Sequence, residues 1–297
     1  MEAHFRVVGI IGRPGNDNDK VIESVKVLQR FLVSQDISVI LADDLAKVLP
    51  NHGLQVLTRK LIGETCDLVI VVGGDGSMLG AARDLASQSV PVLGINRGGL
   101  GFLTDISPDE IEEKVAEVLA GHYTVEPRFL LDTIIKRNGQ PISKGSAFND
   151  IVVSSGETAR MMSFELEIEG QFVYSQRSDG LIVSTPTGST AYSLSAGGPI
   201  MHPKLDALCL VPMFPHSLNA RPIMVDGNAE IKIKIGEATT TVPTVTCDGH
   251  LNLKARPGDV VYIHKKPHKL KLIHPLDHSF YSACRDKLGW GSKLVNK

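Results

Sequence analysis

The residues best suited to chemistry in the first half of the chain form the motif Gly-Gly-Asp-Gly-Ser at 73–77. The motif follows an apolar run at 68–72 and precedes a helical pattern over 78–87. This order predicts a strand, a glycine-rich turn and a helix N-terminus, where free N–H groups and the positive end of a helix dipole favour phosphate. Glycine suits such a site because a phosphate approaches the main chain closely only where no Cβ intervenes.

A carboxylate inside a phosphate-binding turn needs its own explanation. Asp75 either makes a turn hydrogen bond, accepts a proton from a reacting hydroxyl, or reaches a metal that bridges the phosphates. The chain has no G-x-x-x-x-G-K-[ST], and its glycines are spaced G-x-G-x-x-x-G, which differs from the dinucleotide fingerprint. A phosphate site with its own acid remains, with a purely structural βα turn as the alternative.

Further polar motifs stand in the second half of the chain. Asn149 and Asp150 precede a strand, where an amide and a carboxylate either bind a nucleoside or form an Asx turn. The segment 184–199 is rich in hydroxyls and glycines, which favours a ligand-lining loop over an ordinary Ser/Thr-rich loop. Arg177 and Asp179 flank a turn and form either a local pair or a substrate contact. His250 follows the turn signal Asp-Gly and is more typical of a hairpin than of a catalyst.

The elements that position the first motif alternate between strand and helix. Strands are predicted at 5–12, 37–42, 68–72 and 90–96, and helices at 19–34, 57–63 and 78–87, with a Pro-Gly turn at 14–15. This alternation predicts an α/β class with a Rossmann-like parallel sheet. Glycine-rich loops follow two of the strands, at 73–77 and 97–101, and we expect both loops to face one site.

The pattern changes after a helix predicted at 107–120. Residues 164–168 and 231–235 alternate strictly, and turn signals recur between them and beyond, which predicts an antiparallel β domain. An amphipathic helix over 278–288 is expected to pack back on the first domain. The predicted division is therefore an α/β domain at 1–105, a mainly antiparallel β domain at 106–272 and a C-terminal segment at 273–297.

Composition restricts the classes of function. The net charge of -2 gives no electrostatic footprint for nucleic acid, and no apolar run approaches the roughly 18 residues that span a bilayer. The four cysteines are isolated, and the N-terminus lacks signal-peptide features, so we expect a cytoplasmic location. The histidines show no zinc-binding spacing.

Taken together and in order, these motifs resemble the NAD kinase family, most closely its Gram-negative bacterial branch. The motifs are G-G-D-G at 73–76, G-I-N-R-G at 94–98, N-D at 149–150, R-S-D-G at 177–180, T-P-T-G-S-T-A-Y at 185–192 and V-P-M-F-P-H-S-L at 211–218. G-G-D-G alone is shared with lipid kinases and phosphofructokinases, whereas T-P-T-G-S-T-A-Y is specific. The resemblance implies an α/β domain followed by a β domain, a returning C-terminal helix, and assembly as dimers or tetramers.

The resemblance also implies an activity and site residues. The expected reaction moves the γ-phosphoryl of ATP to the 2′-hydroxyl of the adenosine ribose of NAD, with a divalent metal, magnesium above all, and with Asp75 as proton acceptor. The implied nucleotide-binding residues are Gly73, Gly74, Asp75, Gly76, Asn149, Asp150, Arg160, Arg177, Asp179, Thr190, Ala191, Tyr192, Ser193, Leu194, Ser195 and His250. The family more often has Asn-Glu at 149–150 and varies between histidine and glutamine at 250. The rival functions are a lipid kinase, an NAD-binding oxidoreductase and a non-catalytic NAD sensor.

Overall fold

The structure is a computed structural model that describes residues 5–12, 18–97, 101–156 and 160–290. Its contacts divide the chain into two compact units. The first unit comprises Met1–Pro127 and Lys269–Lys297, and the second comprises Arg128–His268. The boundaries differ from those predicted at 105 and 272: residues 106–127 belong to the first unit, where the helix within them contacts the first helix of the chain.

Strands and helices alternate up to residue 119, as the sequence predicts. Their bounds are β1 Val7–Gly12, α1 Asn18–Ser34, β2 Ser38–Ala42, α2 Asp43–Ala46, β3 Gln55–Leu57, α3 Arg59–Thr65, β4 Leu68–Val72, α4 Asp75–Leu85, β5 Pro91–Ile95, a 3₁₀ turn Pro108–Glu110 and α5 Ile111–Leu119.

Strands predominate in the rest of the chain. Their bounds, with those of the short helices among them, are β6 Tyr123–Arg137, β7 Gln140–Ala147, β8 Asp150–Ser154, β9 Met162–Ile168, β10 Gln171–Ser178, β11 Gly180–Ser184, a 3₁₀ turn Thr187–Thr190, α6 Tyr192–Ser195, β12 Ala207–Met213, β13 Ile223–Asp226, β14 Ile231–Ile235, β15 Thr244–Cys247, β16 Leu251–Lys254, β17 Val260–Pro275 and α7 Phe280–Leu288.

The sheet of the first unit is parallel. Its strands pair in the order β17-β5-β4-β1-β2-β3, and the last part of β17 joins at Lys271, Leu272 and Ile273. All five residues of β4 are buried, as a parallel strand covered by helices on both faces requires. The order of strands reverses between β1 and β4, so the carboxyl ends of these two strands border the crevice where open α/β sheets bind ligands.

The second unit is antiparallel. One sheet has the order β13-β12-β11-β8-β15-β16, and β10, β9, β14 and the first part of β17 pair side by side in another. Buried and partly exposed residues alternate along β9 and β14, which matches the period of two in the sequence. The inward side chains, among them Phe164, Leu166 and Ile231, form the core of this unit.

Most predicted elements are confirmed, several of them with shifted ends. Helix α4 begins at Asp75, three residues before the predicted start, because the glycine turn is only two residues long. The short elements α2 and β3 were not predicted. The predicted Pro-Gly turn at 14–15 and part of the loop at 97–101 lie outside the described residues. Among the residues that the structure describes, no helix is long and apolar enough to cross a membrane.

Candidate functional site

The glycine turn of the first unit joins the carboxyl end of β4 to the N-terminus of α4. Gly73 has φ +154, and a Cβ there would overlap the Ser77 hydroxyl, so the turn requires glycine at this position. Gly74 is the N-cap residue, and it has no side chain that could cap the helix. Asp75 and Gly76 therefore occupy the first helical turn, whose N–H groups lack intrahelical acceptors and favour an anion. The geometry suits a phosphate.

The side chain of Asp75 is held by the main chain of a second loop. Its Oδ2 accepts the N–H of Phe102 at 3.0 Å, and its Oδ1 accepts the N–H of Leu103 at 3.1 Å. The hydroxyl of Thr104 lies 3.5 Å from Oδ1. Oδ2 keeps one acceptor site beyond the bond to Phe102, since each carboxylate oxygen has two. Asp75 can therefore accept a proton or reach a cation while the loop fixes its orientation.

A separate cavity of about 300 Å³ lies in the second unit. Strands β8 and β15 and the segment after β11 supply its walls, and its lining residues are Asn149, Asp150, Val152, Ser154, Ala191, Tyr192, Met213, Thr246, Asp248 and Gly249. The Oδ1 atom of Asn149 is buried and has no hydrogen-bond partner among the described residues. Such an orphaned acceptor in a cavity wall indicates a ligand that donates to it. The volume is at the lower end of the range for small-molecule sites, which begins at about 300 Å³.

Two carboxyl groups lie close together in this cavity. Asp248 accepts the N–H of Asn149 at 2.7 Å and that of Phe148 at 2.9 Å, so its carboxylate holds the start of β8. Asp150 is 3% exposed. Its burial, with a smaller contribution from the negative charge of Asp248, raises the pKa of Asp150 to about 7. Near neutral pH Asp150 is therefore a protonated donor in part of the molecules and an acceptor in the rest.

The segment at 185–195 has a role that differs in part from the predicted one. Its hydroxyls at 185, 187 and 189 are buried and bind the protein itself. Thr185 donates to the carbonyl oxygen of Phe148 at 2.7 Å, Arg128 donates to Thr187 at 3.0 Å, and Ser189 accepts the N–H of Met201 at 2.9 Å. The Thr185 bond fixes the segment against the start of β8, and the other two bonds attach it to β6 and to Met201.

The cavity walls come from the residues that follow the locked turn. Ala191 and Tyr192 line the cavity of Asp150, and Ser195 lines a neighbouring apolar one with Tyr192. Thr190 is half-buried with its hydroxyl 3.5 Å from the Thr187 carbonyl oxygen, Leu194 is half-buried, and Ser193 is fully buried. Within the predicted ligand-lining loop at 190–195, the structure therefore places Ala191, Tyr192 and Ser195 in cavity walls.

The remaining predicted site residues lie outside the cavity of Asp150. Arg160 and Arg177 are exposed, and within the described residues no ion pair joins Arg177 to Asp179. Asp179 lines an open cavity with Ser154 and Met213. His250 is exposed, and its Nδ1 lies 2.7 Å from the carbonyl oxygen of Asp248, which fixes the hairpin after β15.

Sequence reasoning missed several residues of both sites. In the sequence Asp248 is part of a turn signal only, Met213 occurs only within the motif at 211–218, and Thr104 and Thr246 belong to no motif. Asp248 and Asn149 are 99 positions apart, so no local pattern indicates their contact. The one available signal for Asp248 was its place in the Asp-Gly turn, where it adopts φ +51.

These features define a class: a nucleotide-binding α/β protein with an acid in its glycine turn and a nucleoside-sized cavity in a following β unit. The model of the ATP-NAD kinase N-terminal domain matches residues 8–123, and that of the ATP-NAD kinase C-terminal domain matches residues 148–275. The chain belongs to the ATP-NAD kinase family.

Relatives support the same assignment. The chain is 61% identical to the NAD kinases of Marinobacter nauticus and Azotobacter vinelandii over 291 residues, 98% of each chain. It is also 61% identical to that of Pseudomonas entomophila, over 98% of this chain and 97% of the relative. Among solved structures, yeast NADH kinase complexed with NADH is similar with a TM-score of 0.87 and 25% identity, over 100% of this chain and 94% of the other. An NAD kinase from Archaeoglobus fulgidus in complex with ATP shares the fold, with a TM-score of 0.69 and 23% identity over 96% and 97%.

Proposed function

We propose that this protein is an NAD kinase, which transfers the γ-phosphoryl group of ATP to the 2′-hydroxyl of the adenosine ribose of NAD and produces NADP. The observation that carries the proposal is the position of Asp75. Its carboxylate lies in the first turn of a helix that follows a glycine turn, at a switch point of a parallel sheet. A phosphate-binding turn with a built-in proton acceptor fits phosphoryl transfer, whereas a dinucleotide oxidoreductase has no use for the acid.

In the proposed mechanism, the main chain of the glycine turn and the side chain of Asp75 have separate roles. The N–H groups of residues 74–76 hold phosphate oxygens, and Asp75 takes the proton of the attacking hydroxyl in a loose transition state. A carboxylate suffices as the acceptor, because the proton leaves late in the transfer. The amides of Phe102 and Leu103 keep its oxygens oriented, so that little reorganisation is needed at the moment of reaction.

Asn149 and Asp150 are proposed to hold the adenosine. The orphaned Oδ1 of Asn149 suits an N–H donor such as an adenine amino group, and Asp150 suits the ribose hydroxyls in either protonation state. Ala191 and Tyr192 supply the apolar wall, and Asp248 keeps the two polar residues in place. Arg160, Arg177, Asp179 and His250 are proposed to contact the rest of the dinucleotide from the surface.

A divalent cation, magnesium in the proposal, is compatible with the residues present. Magnesium binds through one or two carboxylates together with substrate phosphates and waters, and Asp75 offers one carboxylate with a free acceptor site beside the phosphate turn. When bound, the ion supplies charge neutralisation on the transferred phosphoryl group. We further propose a cytoplasmic location and a homo-oligomer, a dimer or a tetramer, on the strength of the family.

One incubation tests the activity. The protein is mixed with ATP, magnesium and NAD, and NADP is assayed with an NADP-specific dehydrogenase. Formation of NADP that depends on ATP is expected. A lipid kinase would leave NAD unchanged and phosphorylate diacylglycerol or sphingosine, and an oxidoreductase or a sensor would form no NADP, so either result would overturn the proposal.

A further inference from the structure

The loop at 101–106 surrounds one side of the proposed proton acceptor. Besides the two N–H bonds from Phe102 and Leu103, a Cβ at Gly101 would overlap Asp75 Oδ1, so the main chain is in contact with the carboxylate. Among the described residues, no hydrogen bond joins the Asp75 carboxylate to its own helix, α4. The orientation of Asp75 therefore depends on where this loop lies.

The next residue of the loop ties it to the C-terminal part of the first unit. Asp105 follows Thr104 directly, and its carboxylate contacts the Nδ1 atoms of two histidines. His274, the penultimate residue of β17, approaches Oδ2, and His278, which precedes α7, approaches Oδ1 at 3.0 Å. The two imidazole rings stack with their centroids 4.0 Å apart and an interplanar angle of 19°.

The cluster of Asp105, His274 and His278 is largely buried, so the loss of one of its hydrogen bonds is costly. His274 is 1% exposed, and the side chain of Asp105 is 13% exposed. Burial alone would raise the pKa of Asp105, but the hydrogen bonds from His274 and His278 outweigh it and lower the pKa to about 2. Asp105 is therefore a carboxylate at neutral pH, and a buried carboxylate needs its donors because an unpaired one is costly.

The same three side chains are also a possible ligand set for a transition metal, and their geometry argues against that use. A metal requires its ligand atoms to converge on one point about 2.0–2.2 Å away. Here each imidazole approaches a different oxygen of the carboxylate, and the rings lie nearly parallel. Two parallel N–H donors on two oxygens form a hydrogen-bonded fork, which resembles a bidentate arginine contact.

We propose that His274 and His278 are positioning residues for the reaction: through Asp105 they hold the loop whose amides orient Asp75. The inference rests on the proposed function, because it takes Asp75 as the proton acceptor. It adds that the C-terminal segment, remote in sequence from the glycine turn, sets the turnover number. Loss of a histidine donor frees Asp105, the loop shifts, and the carboxylate loses its alignment with the hydroxyl.

The surroundings of the cluster offer a matched control. A cavity of about 240 Å³ adjoins Asp105 and His278, and the charged groups that face it are Glu110, Lys114, Asp277 and Asp286. Lys114 pairs with Asp277 at 2.9 Å and makes no contact with Asp105. Lys114→Met therefore weakens the attachment of the same C-terminal segment without touching the fork.

The test compares His278→Leu, which removes the donor, with His278→Asn, which keeps an N–H near the position of Nδ1. We expect His278→Leu to lower kcat about tenfold, since a full 1 Å misplacement costs about a hundredfold, with the KM values for ATP and NAD within about twofold of wild type. His278→Asn should restore most of kcat, and Lys114→Met should retain it. If His278→Leu does not accumulate as folded protein, His278→Gln, whose amide is displaced by one methylene, takes its place.

Double variants show whether the effect passes through Asp75. If it does, His278→Leu should not lower the residual activity of Asp75→Asn further, whereas two independent effects would multiply. Multiplying effects, or a change in KM alone, would overturn the positioning role and leave the proposed function intact. Absence of NADP formation by wild-type protein would instead defeat the proposed function. Zinc added alone should not bind stoichiometrically, and zinc binding lost in His278→Leu would overturn the hydrogen-bonded fork.

Discussion

Three aspartate carboxyl groups of this protein have different surroundings, which suit them to different roles. Asp75 is half-buried and accepts two main-chain N–H bonds, Asp105 is ionised by two histidine donors, and Asp150 is buried beside another carboxylate. The first suits a proton acceptor of fixed orientation, the second a structural anchor and the third a contact whose protonation depends on pH.

The first prediction at this scale concerns Asp75→Asn. An amide keeps one of the two acceptor atoms, so the loop loses a bond and the free energy of unfolding should fall by about 1–3 kcal/mol. Loss of the proton acceptor should lower kcat by roughly 10² to 10⁴, with little change in NAD affinity. Steady-state kinetics and a binding titration on the folded variant provide the measurement.

A companion variant separates orientation from proton transfer. Thr104→Val removes the hydroxyl near Asp75 Oδ1 and keeps the carboxylate, so it measures what a looser loop alone costs. We expect a much smaller fall in kcat than for Asp75→Asn. Equal losses in the two variants would mean that Asp75 only shapes the loop.

The second prediction concerns the pH dependence of stability due to Asp150. Its pKa is about 7 in the folded protein and about 4 when unfolded, so between these values the folded state binds more protons. The stabilisation from this group is complete below about pH 4 and is lost as the pH rises through about 7. In Asp150→Asn the free energy of unfolding should therefore fall less between about pH 5 and about pH 8 than in wild type.

Urea titrations at both pH values check this difference. Asp109→Asn, a change at an exposed aspartate, serves as the control and should follow wild type. An Asp150→Asn curve parallel to that of wild type would show that Asp150 is ionised throughout the range.

At the scale of elements, substitution of a glycine in the first turn of α4 tests whether phosphate binds at the N-terminus of this helix. A Cβ at Gly76 would meet no atom within 4 Å, and Gly76 lies in the first turn of the helix. Gly76→Ala should therefore fold with equal or higher thermal stability, because alanine is favoured in helices by up to about 1 kcal/mol. If phosphate approaches this turn, the methyl group displaces it and the KM for ATP should rise by roughly tenfold or more, the value of one hydrogen bond to a charged group.

Gly80→Ala in the same helix is the matched control. There the nearest atom to a new Cβ is the flexible guanidinium end of Arg59, at 3.3 Å. This variant should keep the KM for ATP. An unchanged KM in Gly76→Ala as well would move the phosphate site away from this turn.

Elements with strong periodicity were predictable from the sequence, whereas the ends of several elements and the very short elements were not. The apolar residues of α1 at positions 21, 25, 28 and 32 are spaced as one helical face requires and are all buried, and β14 has the predicted bounds. The predicted start of α4 lies three residues late, because glycine disfavours helix intrinsically and Gly76 lies in the first turn. The short β3 was missed because its three residues carry too little pattern.

At the scale of the whole molecule, a site made of consecutive residues was predictable from the sequence, whereas a site assembled from distant residues was not. The glycine turn consists of consecutive residues, so the sequence identifies it directly. The start of β8 depends on Asp248, and the orientation of Asp75 depends on a loop 27 and 28 residues further along. Contacts between a side chain and a distant stretch of main chain produce no periodic pattern in the sequence, and they determine which polar residues line a cavity.

The proposed reaction as a whole makes a last prediction, about the acceptor hydroxyl. If the cavity of Asn149 and Asp150 holds adenosine and Asp75 takes a proton from the 2′-hydroxyl, NAD without that hydroxyl should bind but accept no phosphate. Binding is followed by competition with NAD, and transfer by labelled ATP, with NAD that lacks only the 3′-hydroxyl as the control. The control should still be phosphorylated. A labelled product from the 2′-deoxy analogue would show that another hydroxyl reacts, because no phosphoryl transfer to an absent group is possible.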